Sequence, residues 1–234
     1  LPDVDPCRKS CYRSRMDAPG TSQFAVAIVG GGPVGLATAV GLAQNGVPTA
    51  LVARKAAYGD NRTTALLGGS IDFLTSLQIW PGCKQQAAAL RVMRLIDDTG
   101  RLVRAPEVRL SSEEIGEETF GYNIENRILV AALEARASEL PNLVRYDDDA
   151  STIRSGEAAV EIETGSGARI SATTVGGADG RNSLARRSAG IELRTRTLDQ
   201  SAVTFNTAHS RPHDNISTEF HTPHGPRAFV PLPG

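Results

Sequence analysis

The stretch "FAVAIVGGGPVGLATAVGLAQNG", Phe24 to Gly46, constrains this chain more than any other. A short continuous apolar run, Phe24 to Val29, stops at once on glycines. Such a run reads as a parallel strand buried on both faces. Gly30, Gly32 and Gly35 follow in the spacing G-x-G-x-x-G. From Pro33 the pattern turns helical, with Val34, Ala37, Val40, Gly41 and Ala43 or Gln44 expected on the packing side. Asn45-Gly46 is expected to end the helix in a left-handed cap. "PTALVA", Pro48 to Ala53, reads as the next strand. Strand, glycine turn, helix and strand make a βαβ half-unit.

In such a unit the first glycine permits a tight turn, and the second lets backbone approach a phosphate. The third lets helix and strand close together. The helix start adds free N–H groups and about half a positive charge. The bland alternative is a tight turn in an ordinary α/β protein. The flanking strand and helix favour a nucleotide pyrophosphate. The usual partner is an acid ending the second strand, on the ribose hydroxyls. Here Ala53 stands at that place, followed by Arg54 and Lys55. Ribose contacts then fall to backbone, to Arg54 or to water. Arg54 or Lys55 would equally suit a 2′-phosphate.

The bulk numbers exclude other classes. With 25 basic and 26 acidic residues there is no surplus to hold nucleic acid or a strongly anionic membrane. No apolar run approaches the roughly 20 residues of a bilayer span. Peripheral membrane contact stays open. Three cysteines without a signal peptide point to a reducing, cytoplasmic setting. Cys7 and Cys11 sit four apart, but no second pair completes a metal set, so no metal is expected. The histidine pairs His209/His213 and His221/His224 lie in turn-rich sequence and read as exposed or substrate-domain residues. Residues 1–22 read as an unstructured leader.

Further along, "ALLGGSIDFLTSLQIW" reads as helix from Ala65 to about Leu77, with Gln78 where a glycine cap would be comfortable. "RVMRLID" and "RLVRAP" flank Asp98-Thr99-Gly100 as a hairpin. Asn126 to Leu140 reads as an amphipathic helix with Ile128, Ala131, Ala132, Ala135 and Leu140 on one side, and "NLVRY" returns as a strand. "ASTIR", "AAVEIET" and "ARISATTV" read as an antiparallel meander. The tail pieces "SAVTFNTAH", "ISTEFHTP" and "RAFVPLP" read as β-rich parts of a second sheet. Asp179, among Gly176, Gly177 and Gly180, marks a close backbone approach or a plain turn. Arg62, Arg181 and Arg186 offer forked donors for phosphate oxygens.

Three of these stretches, "DNRTTALLGGSIDFLTSLQIW", "FGYNIENRILVAALEARA" and "VGGADGRNSLARRSAGI", resemble the class A flavin-dependent monooxygenases. The closest branch is the hydroxylases of ubiquinone biosynthesis (UbiH-type), whose tail "STEFHTPHGPRAFVPLPG" is similar too. The resemblance implies an α/β fold: a Rossmann-like three-layer FAD/NAD(P)-binding domain (p-hydroxybenzoate hydroxylase-like) with part of an interleaved antiparallel-sheet substrate domain. It places the FAD-binding domain at 23–84 and 122–190 and the partial substrate domain at 85–121 and 191–234. It implies FAD, with NAD(P)H as co-substrate and oxygen transfer from a flavin C4a-hydroperoxide to an aromatic or polyprenylphenol ring. The protein would be cytoplasmic or peripheral to the inner membrane. By position it assigns Gly30, Gly32 and Gly35 to the FAD pyrophosphate; Gly31 and Pro33 of the same loop, and Arg54 at the ribose, complete the expected cofactor contacts of this stretch. It assigns Arg62 to the flavin end, Asn126 or Arg127 to a second polar contact, and Asp179-Gly180 to the family's D-G motif. No catalytic residue is singled out, because the cofactor carries the chemistry. The family's ribityl-binding Gly-Asp element has no candidate here and is expected beyond Gly234. The alternatives are another flavin oxidoreductase of the same fold, or a truncated remnant that binds FAD weakly.

Overall fold

The computed structural model describes residues 21–55, 59 and 61–233. Cys7, Cys11 and most of the expected leader lie outside them. Thr21 and Ser22 do not belong to a leader, because they already pair with Arg169 and Ile170 in a sheet. In chain order the strands are β1 (Thr21–Val29), β2 (Thr49–Val52), β3 (Thr63–Leu67), β4 (Ala87–Leu90), β5 (Val92–Asp97), β6 (Val108–Ser111) and β7 (Gly121–Glu125). Then come β8 (Leu143–Tyr146), β9 (Ala150–Ser155), β10 (Val160–Thr164), β11 (Arg169–Gly177), β12 (Ile216–Thr222) and β13 (Gly225–Phe229). The helices are α1 (Pro33–Gln44), α2 (Gly68–Ser76), α3 (Trp80–Cys83), α4 (Asn126–Ser138) and α5 (Leu184–Ser188).

The chain forms two compact units. Among the described residues the first comprises 21–55 and 137–196, the second 59, 61–136 and 197–233. The division differs from the one read in the sequence, since 61–84 and 122–136 fall in the second unit. The reason is local pairing: β3 and β4 flank β7 in their own antiparallel sheet.

The first unit is built on a six-stranded sheet of order β8-β2-β1-β11-β10-β9. Four neighbours, β8, β2, β1 and β11, run parallel, and β10 and β9 continue antiparallel as the expected meander. Phe24, Ala27, Val29, Ala50, Val52, Ile162, Ile170 and Ala172 form one buried cluster. Helix α1 packs on β1, β2 and β8. Its buried side is Gly35, Leu36, Ala39, Val40 and Ala43, whereas Val34 is 73% exposed. The expected stripe through Val34 and Ala37 was therefore rotated. The small Gly35 and Ala39 face inward because the helix lies close to the sheet. Gly46 takes φ +80° and ends the helix as expected.

The second unit holds the sheet β3-β7-β4 and the sheet β13-β12-β5-β6. Residues 65–67 are strand rather than the start of a helix; the helix begins at Gly68. Leu66 inside and Leu67 outside show the period-two alternation that the apolar run concealed. Gln78 takes φ +63°, in the left-handed region expected of a cap. Strand β5 pairs with β6, not with "RLVRAP". Asp97 explains the wider loop: it accepts from Thr99 N, Thr99 Oγ1 and Ala105 N, holding the chain away from a tight hairpin. The buried residues of α4 are Leu129, Val130, Leu133 and Ala137, while Ala131 and Ala135 are exposed. Residues 201–209 form no strand. Trp80 is buried, its ring centroid 5.0 Å from that of Tyr122 with the planes tilted by 59°, a core role.

Candidate functional site

The candidate site lies at the carboxyl ends of β1, β2 and β11, in the first unit. Gly30 leaves β1 with φ +117°. A β-carbon there would stand 2.2 Å from the Ala178 carbonyl oxygen and 2.7 Å from Asp179 N. A β-carbon on Gly35 would stand 2.0 Å from the Gly30 oxygen. Both glycines are thus required by the chain itself. They press the loop, α1 and the end of β11 together, and Ala178 N completes the seam by donating to Val29 O at 2.7 Å.

Gly32 is the N-cap of α1, with φ −73° and ψ 173°; Leu36 N donates to its carbonyl. No side chain caps this helix start, and its first turn holds no acid. Pro33 at the first helical position has no N–H to satisfy. The remaining first-turn amides face outward with the positive end of the helix dipole. This is an anion cradle made of backbone, and it fits a diphosphate. Gly31 packs tightly on the end of β2: a β-carbon there would meet the Ala53 methyl at 2.9 Å.

Asp179 sits at the turn after β11. Its carboxylate accepts from Ser183 Oγ at 2.6 Å, Leu184 N at 2.6 Å and Ala185 N at 3.1 Å. Burial pushes its pKa up, but the Ser183 hydroxyl and the amides of Ala185, Asp179 and Leu184 outweigh it and hold it below the usual range. The side chain therefore fastens α5 to the end of β11. What this turn offers outward is backbone: Gly180, at φ +77°, has open space beside it. Arg186 donates from Nη1 to Arg181 O at 3.1 Å, a contact within the same turn.

At the ribose end, Ala53 is buried and carries no carboxylate. Arg54 forms an ion pair with Asp149. Their side chains are 67% and 61% exposed, so the pair contributes at most about 1 kcal/mol. Lys55 N donates to Asp147 at 2.6 Å. Arg145, from β8, donates from Nη2 to Ala53 O at 3.1 Å. The sequence reading missed Arg145, Asp147 and Asp149, because only the strand order puts β8 next to β2.

The second unit holds the other expected contacts. Arg62 is exposed, and its carbonyl accepts from Asn126 N at 3.0 Å. Asn126 Oδ1 accepts from Thr64 Oγ1 at 2.5 Å. Arg127 grips Glu125 with a two-pronged pair at 2.5 and 2.9 Å. Among the described residues no group of three or more metal-ligating side chains occurs, and no helix is long and apolar enough to cross a membrane.

A parallel βαβ core, a glycine-cradled helix start and a D-G turn on the adjacent strand define a dinucleotide-binding domain. Residues 23–233 match the family described as FAD binding domain, and the chain belongs to that family. It is 31% identical over 216 residues to the ubiquinone hydroxylase UbiL of Rhodospirillum rubrum, covering 89% of this chain and 49% of that protein. It is 31% identical over 220 residues to 3-demethoxyubiquinol 3-hydroxylase of Escherichia coli, covering 88% of this chain and 54% of that one. The chain thus spans about half the length of these relatives. Among solved structures, PqsL of Pseudomonas aeruginosa in complex with 2-aminobenzoylacetate superposes with a TM-score of 0.70 at 17% identity, over 91% of this chain and 58% of that one. The fold is that of p-hydroxybenzoate hydroxylase-like FAD-binding monooxygenases, as the resemblance implied.

Proposed function

We propose that this chain is the FAD-binding part of an NAD(P)H- and O₂-dependent aromatic-ring hydroxylase acting on a ubiquinone-type phenol. The observation that carries the reading is the backbone cradle at Gly30, Gly32 and Gly35, uncapped and free of acid. Gly30, Gly31, Gly32, Pro33 and Gly35 hold the diphosphate. The turn at Asp179-Gly180 borders it, with Asp179 setting the turn's shape. For Arg62 and Arg127 the support is the family resemblance. Bound FAD would supply the redox chemistry: a two-electron reduction by NAD(P)H, and O₂ from which one oxygen atom enters the ring and the other leaves as water. The chain's own residues bind the cofactor and fix its adenosine half; no side-chain nucleophile is needed. The substrate is drawn from the relatives' names, which include a ubiquinone hydroxylase and a demethoxyubiquinol hydroxylase.

The test is NAD(P)H oxidation by FAD-loaded protein, with and without a short-chain polyprenylphenol. The reading expects phenol-stimulated oxidation and a product heavier by one oxygen atom. Tight FAD binding with oxidation indifferent to every phenol tried would leave a flavoprotein and remove the hydroxylase.

A further inference from the structure

The end of β2 lacks the acid that such a crevice sets against ribose hydroxyls; Ala53 stands there instead. The neighbouring parallel strand β8 brings a carboxylate to the same level. Val52 pairs in register with Tyr146, and Ala53 N donates to Tyr146 O at 3.1 Å. Asp147, the next residue, therefore lies one strand across from Ala53. Its Oδ1 accepts from Lys55 N at 2.6 Å, which fastens the carboxylate to the chain leaving β2. Asp147 is exposed, and its Oδ2 has no hydrogen-bond partner among the described residues. The two acids that follow are committed elsewhere. Asp148 accepts from Ser166 N at 2.6 Å and Asp149 N at 2.8 Å, and Asp149 pairs with Arg54. The glycine loop closes on the same strand end, since a β-carbon on Gly31 would meet the Ala53 methyl.

We propose that Asp147 is the ribose-recognising carboxylate of this crevice, carried on the end of β8 in place of the acid missing from β2. The proposal rests on the FAD-binding reading above and deepens it. An ionised carboxylate only accepts hydrogen bonds, and those from hydroxyls are charge-assisted. With Oδ1 held by Lys55 N, Oδ2 is left to accept from the 2′- or 3′-hydroxyl of an adenosine ribose. The same negative charge disfavours a 2′-phosphate, which agrees with the bare ribose of FAD. The bond to Lys55 N fixes the carboxylate before the nucleotide arrives, so little side-chain freedom is lost on binding.

The experiment titrates the 234-residue chain by calorimetry with ADP, with 2′,3′-dideoxyadenosine 5′-diphosphate and with FAD. The proposal expects ADP to bind about tenfold more tightly than its dideoxy form, the scale of one charge-assisted hydrogen bond. Asp147→Asn keeps an acceptor for Lys55 N but leaves no free carboxylate oxygen, so the preference shrinks toward one. Asp147→Ala removes it. In both variants the affinity for the dideoxy compound stays near that of the parent, which a merely structural role would not allow. If the parent binds the two diphosphates alike, if either variant keeps the preference, or if both compounds weaken together, the proposal is wrong while FAD binding by the parent keeps the FAD reading. If neither ADP nor FAD binds the parent, both fall.

Discussion

Gly30 and Ala178 meet backbone to backbone: a β-carbon on Gly30 would lie 2.2 Å from the Ala178 carbonyl oxygen. Strand β1 and strand β11 deliver these residues side by side, so the glycine turn and the Asp179-Gly180 turn are one construction. Gly30→Ala puts a methyl into a carbonyl at a φ of +117° and must displace β11 or the loop. Gly180→Ala faces open space and carries only the strain of φ +77°, about 1 kcal/mol. Thermal unfolding should therefore show a much larger loss for Gly30→Ala. Equal losses would mean the two turns do not pack as described.

Asp179 tests the same seam from its other side. Asp179→Asn leaves one acceptor oxygen where three donors now converge, and turns an amide N–H₂ toward donors. The expected cost is about 1 kcal/mol, the scale of a lost helix cap. Urea unfolding at neutral pH measures it. FAD affinity should fall with it only through the displaced turn, so Asp179→Ser should recover part of both.

Acid should weaken both units. The Thr99 hydroxyl, with the amides of Ala105 and Thr99, holds Asp97 at about 2, and hydrogen bonds from Ser166 and Asp149 hold Asp148 at about 2. Unfolded aspartates titrate near ~3.9. The folded chain thus binds fewer protons than the unfolded one between these values. The stability these two contribute is complete above about pH 4 and drains away as pH falls toward 2. Urea midpoints across that window should decline, and Asp148→Asn should make the decline shallower. A decline unchanged in Asp148→Asn would assign it to other groups.

Gln78 invites a stabilising change. Its φ of +63° follows α2, with Gln78 N donating to Thr75 O in a C-terminal turn. Glycine would remove the left-handed strain, about 1 kcal/mol, less the entropy it adds to the unfolded chain. Gln78→Gly should raise the unfolding temperature by roughly 1–3 °C. A lower temperature would show that the Gln78 side chain does more than bear the cap.

Some of this architecture was legible in the residues and some was not. The βαβ start was readable because Phe24 to Val29 and Ala50 to Val52 are apolar without interruption, as strands buried on both faces must be. The meander was readable from alternation and glycine breaks. The faces of α1 and α4 were misjudged because alanines and glycines carry little hydrophobic contrast. Ala131 and Ala135 tolerate solvent as readily as core. The strand at Ala65–Leu67 was lost in a helix-like run, and its partner β7 lies more than fifty residues away. Asp179 was found, but its engagement with α5 depends on Ser183, whose capping role no motif announced. Arg145 was invisible for a topological reason: nothing in "NLVRYDDD" says that β8 will lie beside β2.

The most direct measurement is an FAD titration of the chain and of Gly32→Val, followed by flavin fluorescence. Gly30 and Gly35 are fixed by contacts within the chain, whereas Gly32 has a φ of −73° that any residue can adopt. A side chain at 32 therefore puts no strain on the backbone torsions while standing at the N-cap of α1, where the proposed diphosphate would lie. The account predicts an unfolding temperature within a few degrees of the parent and FAD affinity weaker by about a hundredfold, the loss of close backbone contact to the diphosphate. Undiminished FAD affinity in a folded Gly32→Val would contradict it.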